Sequence, residues 1–145
     1  MKTQSWYGIK KMFYALSVFA IIFVFVSCSQ NVAYIDKFGD VDVSMGNYDE
    51  AIKDYTKAIN YKPGDPDGYI GRAYVYQKMG NHRLAIEDYT KAIGLVPDDS
   101  NLYFARGSAF ELLGNNDESI RDYQRAAALG NDKARASLIS KGIGW

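Results

Sequence analysis

The stretch GNYDEAIKDYTKAINYKP, residues 46–63, decides the fold of this chain, because it returns as GNHRLAIEDYTKAIGLVP at residues 80–97. The two copies start 34 residues apart and are identical at 11 of 18 positions. A weaker third copy, GNNDESIRDYQRAAALGN, starts another 34 residues on, at Gly114. A fixed period of this length is typical of an array of stacked helical repeats. Such arrays expose a long concave surface, so we expect the chain to bind another polypeptide there.

Within each copy, the spacing of apolar and small residues predicts helices. Ile86, Tyr89 and Ile93 lie three and seven residues apart, on one face of an α-helix. Small residues, which let two helices approach closely, recur at Ala51, Ala85 and Ser119 and at Ala58, Ala92 and Ala126. An aromatic recurs at Tyr55, Tyr89 and Tyr123. We therefore expect the tyrosines to fill equivalent interior sites between successive units.

A second pattern precedes each copy and carries a family resemblance. It reads YIGRAYVY at residues 69–76 and YFARGSAF at residues 103–110, and Pro63 and Pro97 close two of the units. Together with the period, these residues resemble the tetratricopeptide repeat (TPR), a helix–turn–helix unit, over about residues 34–130. The resemblance implies an all-α solenoid of about three units, at 34–65, 66–99 and 100–131. Residues 132–145 are expected to form a capping helix, from Asp132 to Ser140, and a tail.

The turns inside the units also follow a pattern. Gly46, Gly80 and Gly114 suit the left-handed turn that ends a helix. The asparagine after each glycine (Asn47, Asn81 and Asn115) is predicted to cap the next helix with its side chain, and Glu50 and Glu118 stand at capping-box spacing. Asp65 and Pro66 predict a cap and a first helical residue. Residues 32–45 fit the first helix of the first unit poorly, so that helix is expected to be short or distorted.

Residues 1–27 belong to a different physical class. Three lysines and no acid stand in residues 1–11, and residues 12–26 are fifteen almost wholly apolar residues. A basic start, a short apolar run and a small residue before a cleavage point are typical of a secretory signal peptide. A permanent transmembrane helix needs about 20 apolar residues, so this run is short for one. We expect a hydrophobic signal helix over residues 1–27 and a tether over residues 28–33.

The end of that segment, Phe25–Val26–Ser27–Cys28, resembles a bacterial lipobox. The resemblance implies cleavage before Cys28 and acylation of its thiol, which would hold the domain on a bilayer without a spanning helix. In that family, an acidic residue directly after the cysteine favours the inner membrane. Ser29 stands there instead, which favours the outer membrane, with the domain facing the periplasm. The alternative is an uncleaved signal anchor with an incidental cysteine, and it exports the domain to the same side.

Composition and residue spacing argue against several functions. The chain has 17 basic and 17 acidic residues, so we expect no basic surface that would bind nucleic acid. Its single cysteine allows no intrachain disulfide. His82, the one histidine, lacks partners at metal-ligand spacing and is expected to pack beside a turn. Arg72 and Arg106 recur with the repeat and are expected to be framework residues. We therefore predict no enzyme activity, no cofactor or metal, and no small-molecule substrate.

The family resemblance places the first helix of each unit along the concave groove. The residues expected to face a partner there are Ile70, Tyr74, Gln77, Phe104, Ser108 and Glu111. The alternative is that their large side chains pack against the capping helix or the tail at 142–145. Gly71 and Ala105 flank the groove without the basic residues of the family's carboxylate-binding variant. An extended or helical segment with apolar side chains is therefore the expected ligand.

These observations predict a membrane-tethered adaptor that binds a peptide or protein segment, for example during assembly of an envelope complex. The alternative is a self-associating structural protein of the envelope, in which a neighbour's tail or capping helix fills the groove. Both hypotheses need the same concave surface, and they differ in what occupies it.

Overall fold

The computed structural model describes residues 42–144, and this part of the chain is helical throughout apart from its turns. Residues 42–45 are helical. Six helices follow: α1 (Tyr48–Tyr61), α2 (Pro66–Lys78), α3 (His82–Leu95), α4 (Ser100–Leu112), α5 (Asn116–Ala128) and α6 (Asp132–Ser140). In the described residues, the extensive helix–helix contacts join helices that are consecutive in sequence. This is the arrangement of a solenoid.

The helices pair as the period predicts. Helices α2 and α3 form one helical hairpin, α4 and α5 form the next, and α6 packs on α5 as a single additional helix. The all-helical solenoid expected from the sequence is confirmed for this part of the chain, as is a short helix at Asp132–Ser140. The predicted signal helix, the tether at 28–33 and most of residues 32–45 lie outside the described residues.

Each turn inside a unit is closed by the backbone of a Gly-Asn pair. Gly80 has φ +80°, in the left-handed region that favours glycine. Its N–H donates to the carbonyl of Gln77 (3.1 Å), and the N–H of Asn81 donates to the carbonyl of Tyr76 (2.8 Å). These two bonds define a Schellman motif. Gly46 and Gly114 have the same conformation, so the expected glycine turns are confirmed.

The predicted capping by the asparagine side chains is wrong. Asn47, Asn81 and Asn115 do occupy the N-cap positions, but none of their side chains bonds to the following helix. Their backbone, with φ from −83° to −81° and ψ from 59° to 71°, is not in the extended conformation of a side-chain cap. The turn fixes this conformation, because the asparagine N–H must close the preceding helix. Glu50 instead pairs with Lys53, so the capping box is absent there too.

Side-chain caps occur at the turns between units. The carboxylate of Asp65 accepts from the N–H of Asp67 (3.3 Å) ahead of α2, which confirms the predicted cap, and Asp99 accepts from the N–H of Asn101 (2.8 Å) ahead of α4. At the start of α6, the side chain of Asn131 accepts from the N–H of Ala134 (3.0 Å). Each of these caps satisfies a backbone donor that the helix itself leaves free.

The interior repeats with the sequence. Tyr55, Tyr89 and Tyr123 are 3%, 3% and 2% exposed, so they fill equivalent interior sites as expected. The small residues beside them are fully or almost fully buried: Ala51, Ala58, Ala85, Ala92, Ser119 and Ala126. A large aromatic ring against a small residue gives each unit the same thickness and therefore the same stacking.

A polar clamp ties each unit to the one before it. Arg72 on α2 donates from Nε and Nη2 to the carboxylate of Asp88 on α3 (2.7 and 2.8 Å), and from Nη1 to the hydroxyl of Thr56 on α1 (3.0 Å). Arg106 makes the same bonds one unit later, to Asp122 (2.7 and 2.8 Å) and Thr90 (3.1 Å). The bidentate geometry is the strongest form of such a pair. The framework role expected for both arginines is confirmed.

Candidate functional site

A groove of about 640 Å³ runs between the first helices of successive units. Its walls are α2, α4 and the helical residues 42–45, and its floor is formed by side chains of α1 and α3. The lining residues are Val43, Ser44, Tyr48, Tyr55, Ile70, Gly71, Tyr74, Lys78, Tyr89, Asn101, Leu102 and Ala105. This size falls within the range of small-molecule and peptide side-chain pockets.

Helical spacing explains which side chains reach the groove. On α2, Ile70, Tyr74 and Lys78 follow one another at intervals of four residues and so lie in a row along one face. On α4, Asn101 and Ala105 have the same spacing and belong to the opposite wall. Tyr74 is 46% exposed, which is high for a large aromatic side chain in a folded domain. The row on α2 therefore offers accessible apolar surface.

Gly71 lets the ring of Tyr55 pack closely against α2, because that residue has no side chain. A Cβ atom there would lie 2.2 Å from Cε1 of Tyr55, far inside van der Waals contact. The Tyr55 ring fills this space and forms part of the groove floor. One unit later, the equivalent of Gly71 is Ala105, and it packs against the cluster that contains Tyr89. At both positions a small residue of the groove wall packs against the interior of the array.

Charge is sparse in the groove. Lys78 is the one lysine or arginine among the lining residues, which include no aspartate or glutamate. Its ammonium lies 5.1 Å from the centre of the Tyr74 ring, within cation–π range. Burial raises the pKa of Tyr89 to about 12, so this phenol stays neutral at physiological pH. The hydroxyl of Tyr89 donates to the side-chain carbonyl of Gln77 (3.1 Å).

The predicted site residues separate into two groups. Ile70 and Tyr74 line the groove. Gln77 lies beside it and donates from its amide to the hydroxyl of Ser108 (3.4 Å). Phe104 packs on the ring of Tyr123, with 5.5 Å between ring centres.

Glu111, the last member of the predicted set, lies on the same side of α4 as Phe104. Its carboxylate accepts a hydrogen bond from the hydroxyl of Tyr123 (2.7 Å) and another from the ammonium of Lys141. These two bonds, the one to Lys141 first, hold the pKa of Glu111 below its ordinary value. Phe104 and Glu111 therefore contact the end of the array, and the partner-binding role of the set stays a prediction.

Eight further lining residues were not part of the predicted set or its flanks, namely Val43, Ser44, Tyr48, Tyr55, Lys78, Tyr89, Asn101 and Leu102. Two of them follow from helical spacing. Lys78 continues the row of Ile70 and Tyr74, and Asn101 stands four residues before Ala105. Extending each row by one turn would have found both residues. Val43 and Tyr48 come from a unit whose first helix matches the repeat poorly, so the pattern gave no reliable position for them.

The described residues contain no group of three or more metal-ligating side chains. His82 is the first residue of α3 and is partly buried there, beside a turn as expected. The acidic residues Asp99, Asp117 and Glu118 all stand at helix starts, where the helix dipole favours negative charge.

Cys28 and the predicted signal peptide lie outside the described residues. Over residues 42–144, none of the helices has both the length and the apolar content that a membrane crossing requires. The predictions of lipid attachment and of an outer-membrane location rest on the sequence.

Comparison with known proteins fits this geometry. A family model described as TPR repeat matches residues 39–80, and one described as tetratricopeptide repeat matches residues 70–134. The chain carries tetratricopeptide repeats. A search of curated proteins found no match.

Solved TPR domains share the fold. The first TPR of Spaghetti (RPAP3), bound to the HSP90 peptide SRMEEVD, is 29% identical with a TM-score of 0.72, over 77% of this chain and 90% of that one. The first TPR domain of human RPAP3, solved by NMR, is 29% identical with a TM-score of 0.70, over 75% and 87%. The Arabidopsis OM64 TPR domain has a TM-score of 0.69 at 24% identity, over 74% and 90%, and this likeness concerns the fold alone.

Proposed function

We propose that this protein is an adaptor that is tethered to the bacterial envelope by a lipid on Cys28 and binds an extended segment of a partner protein in its TPR groove. The similarity to a TPR domain solved with a bound peptide supports a protein-interaction adaptor. The observation that carries the proposal is the groove itself, with exposed Tyr74 and with Ile70 beside it. Aromatic side chains in a groove are typical energetic centres of protein recognition.

The charge of the groove favours a ligand with apolar side chains. The peptide bound by the Spaghetti domain, SRMEEVD, has three acidic residues. A groove for such a ligand needs several basic side chains, whereas the lining here has Lys78 alone. Neutral or apolar residues occupy the rest of the surface, among them Gly71 and Ala105. The partner segment therefore presents aliphatic or aromatic side chains, and its recognition depends little on a terminal carboxylate.

A displayed peptide library, selected on the chain from residue 29 onward, tests this proposal. We expect selected peptides rich in aliphatic and aromatic residues, bound more tightly than labelled SRMEEVD in fluorescence anisotropy. Ala105→Leu should fill the groove and weaken binding of a selected peptide about tenfold, and Tyr74→Ala should weaken it similarly. Ala136→Leu, the same change at an exposed position of α6, is the matched control. Preferential binding of SRMEEVD would contradict the apolar assignment, and binding unaffected by both groove variants would contradict the site.

The tether is tested separately. Cys28→Ser removes the thiol that the lipid requires, so the full chain should no longer carry an acyl group and should move from the detergent phase to the aqueous phase on Triton X-114 partitioning. With two or three acyl chains lost, the expected change is nearly complete. Unchanged partitioning would favour the uncleaved signal anchor.

A further inference from the structure

The inner surface of the array differs between two repeats at equivalent positions. Shifted by 34 residues, Ile70, Tyr74 and Gln77 of α2 correspond to Phe104, Ser108 and Glu111 of α4. The first two residues of the α2 set line the open groove. The α4 set, which we call the third-unit inner surface, lies toward α6, and the end of the chain contacts it.

The contacting segment is Lys141–Ile143, directly after α6. The ammonium of Lys141 donates to the carboxylate of Glu111. The side chain of Ile143 packs against a buried cluster that includes Tyr123 and Leu138, and Phe104 packs against the same cluster. The segment thus presents a cation to Glu111 and, two residues later, an aliphatic side chain to the apolar cluster.

The backbone of this segment is held by a glycine turn like those inside the units. Gly142 has φ +72°, its N–H donates to the carbonyl of Ile139 (2.9 Å), and the N–H of Ile143 donates to the carbonyl of Leu138 (3.0 Å). These bonds end α6 after nine residues, whereas α2 and α4 run for thirteen. The early end of α6 places Lys141 beside Glu111.

The ion pair of this contact is weak enough to exchange. The side chains of Lys141 and Glu111 are 29% and 39% exposed, so water competes for their charges. A pair of this kind contributes at most about a factor of five to an equilibrium. Glu111 also keeps a second donor, the hydroxyl of Tyr123 (2.7 Å), when Lys141 leaves. Departure of the segment therefore leaves an acidic acceptor beside an apolar cluster.

We propose that Lys141–Ile143 is a displaceable internal ligand of the third-unit inner surface. A partner segment with a lysine or arginine two residues before an aliphatic residue replaces it and extends the bound surface beyond the groove. This inference rests on the proposed function, because it assigns a second part of the same inner surface to the partner. It names the chemistry of the partner at that place, a cation for Glu111 and an aliphatic side chain for the cluster around Tyr123.

A peptide copy of residues 138–145, acetyl-LISKGIGW, is the probe. Titrated into ¹⁵N-labelled Lys141→Gln chain, it should shift the resonances of Phe104, Glu111 and Tyr123 and saturate below about 1 mM. Its affinity for this variant should exceed that for the unaltered chain about fivefold, since the internal ligand is weakened, and Lys141→Gln/Glu111→Gln should lose that gain. Absence of saturable binding, equal affinity for all three chains, or shifts confined to Ile70 and Tyr74 would each overturn the proposal.

Hydrogen exchange provides an independent measurement that needs no ligand. Glu111→Gln removes the charge that holds Lys141, so exchange at the amides of Gly142 and Ile143 should accelerate about fivefold. Glu87→Gln, the same change at an exposed site on α3, should leave those rates unchanged. Equal rates in all chains would show that Glu111 does not hold the segment. Failure of this inference leaves the groove intact, because peptide binding that is sensitive to Ala105→Leu reports on the groove alone.

Discussion

The second and third units are both helical hairpins, but the inner surface of the second is open and that of the third is contacted by Lys141–Ile143. In the second unit, Gln77 accepts a hydrogen bond from the hydroxyl of Tyr89 (3.1 Å), and the adjoining groove is open. In the third, Glu111 occupies the equivalent position, accepts from the hydroxyl of Tyr123 (2.7 Å) and also pairs with Lys141. A neutral amide thus stands where the surface is open, and a carboxylate stands where Lys141–Ile143 is bound. The repeat fixes the position of a side chain, and the identity of that side chain decides what it binds.

The largest expected effect comes from breaking the clamp that both units share. Arg72→Ala leaves the carboxylate of Asp88, only 8% exposed, without its partner, and should cost about 3 kcal/mol of unfolding free energy. Arg106→Ala should cost a similar amount, because Asp122 is 9% exposed and bonded alike. Urea denaturation measures both variants, with Arg83→Ala at an exposed site as control. Loss in only one of the two would show that the units are not equivalent.

Exchanging the small residues of the groove should have a smaller effect and should distinguish the two walls. Gly71→Ala places a Cβ 2.2 Å from the Tyr55 ring, and the resulting strain should cost about 2 kcal/mol. Ala105→Gly, the reverse change at the equivalent position, should cost about 1 kcal/mol, mainly through helix propensity. Thermal unfolding followed by circular dichroism measures both. A stabilised Gly71→Ala chain would mean that Tyr55 moves aside without cost.

Removing the two interior hydroxyls tests the difference between a neutral and a charged acceptor. Tyr123→Phe takes a donor from the Glu111 carboxylate and should cost about 1.5 kcal/mol, because bonds to charged groups are the stronger ones. Tyr89→Phe takes a donor from the neutral Gln77 amide and should cost about 1 kcal/mol. Urea denaturation of the two variants gives the order. The reverse order would contradict the charge difference between the two units.

Acid should slightly weaken the contact of Glu111 with Lys141 in the third unit. The pKa of Glu111 lies below its ordinary value of 4.5, because Lys141 and Tyr123 bond to the carboxylate. The stabilisation is therefore fully present above that ordinary value and is lost as the pH falls through the folded-state pKa. The loss should not exceed about 1 kcal/mol, since the pair is partly exposed. The hydrogen-exchange rate of the Ile143 amide, divided by its intrinsic rate at the same pH, should rise as the pH falls. Glu111→Gln should remove this pH dependence.

Much of the fold was predictable because it follows from period and residue size. The buried tyrosines, the glycine turns and the short final helix all stand where the 34-residue pattern predicts them. The asparagine caps were predicted wrongly. Asparagine is a favourable residue at an N-cap position, but its presence there does not show that its side chain bonds to the helix. At Asn81 the backbone N–H closes the preceding helix, and this fixes a conformation in which the side chain makes no cap.

The candidate site was harder to predict for a different reason. Ile70 and Tyr74 are found in the groove, but Phe104 and Glu111 lie toward the end of the array. Helical spacing gives the face of a helix, and it does not say which later segment covers that face. Lys141 and Glu111 stand 30 residues apart in sequence, and the predicted position of the final helix did not show which side chain of α4 its end reaches.

The arginine clamps give successive interfaces between units the same set of polar contacts. Each arginine reaches back to a threonine of the preceding unit and forward to an aspartate of its own, as Arg72 does with Thr56 and Asp88. A duplicated copy of residues 66–99, inserted after residue 99, would supply a matching threonine, arginine and aspartate at both new junctions. The array can thus lengthen by whole units without new contacts having to be designed between them. The ion pair of Lys141 with Glu111 would remain in the last unit, because both residues follow the insertion point.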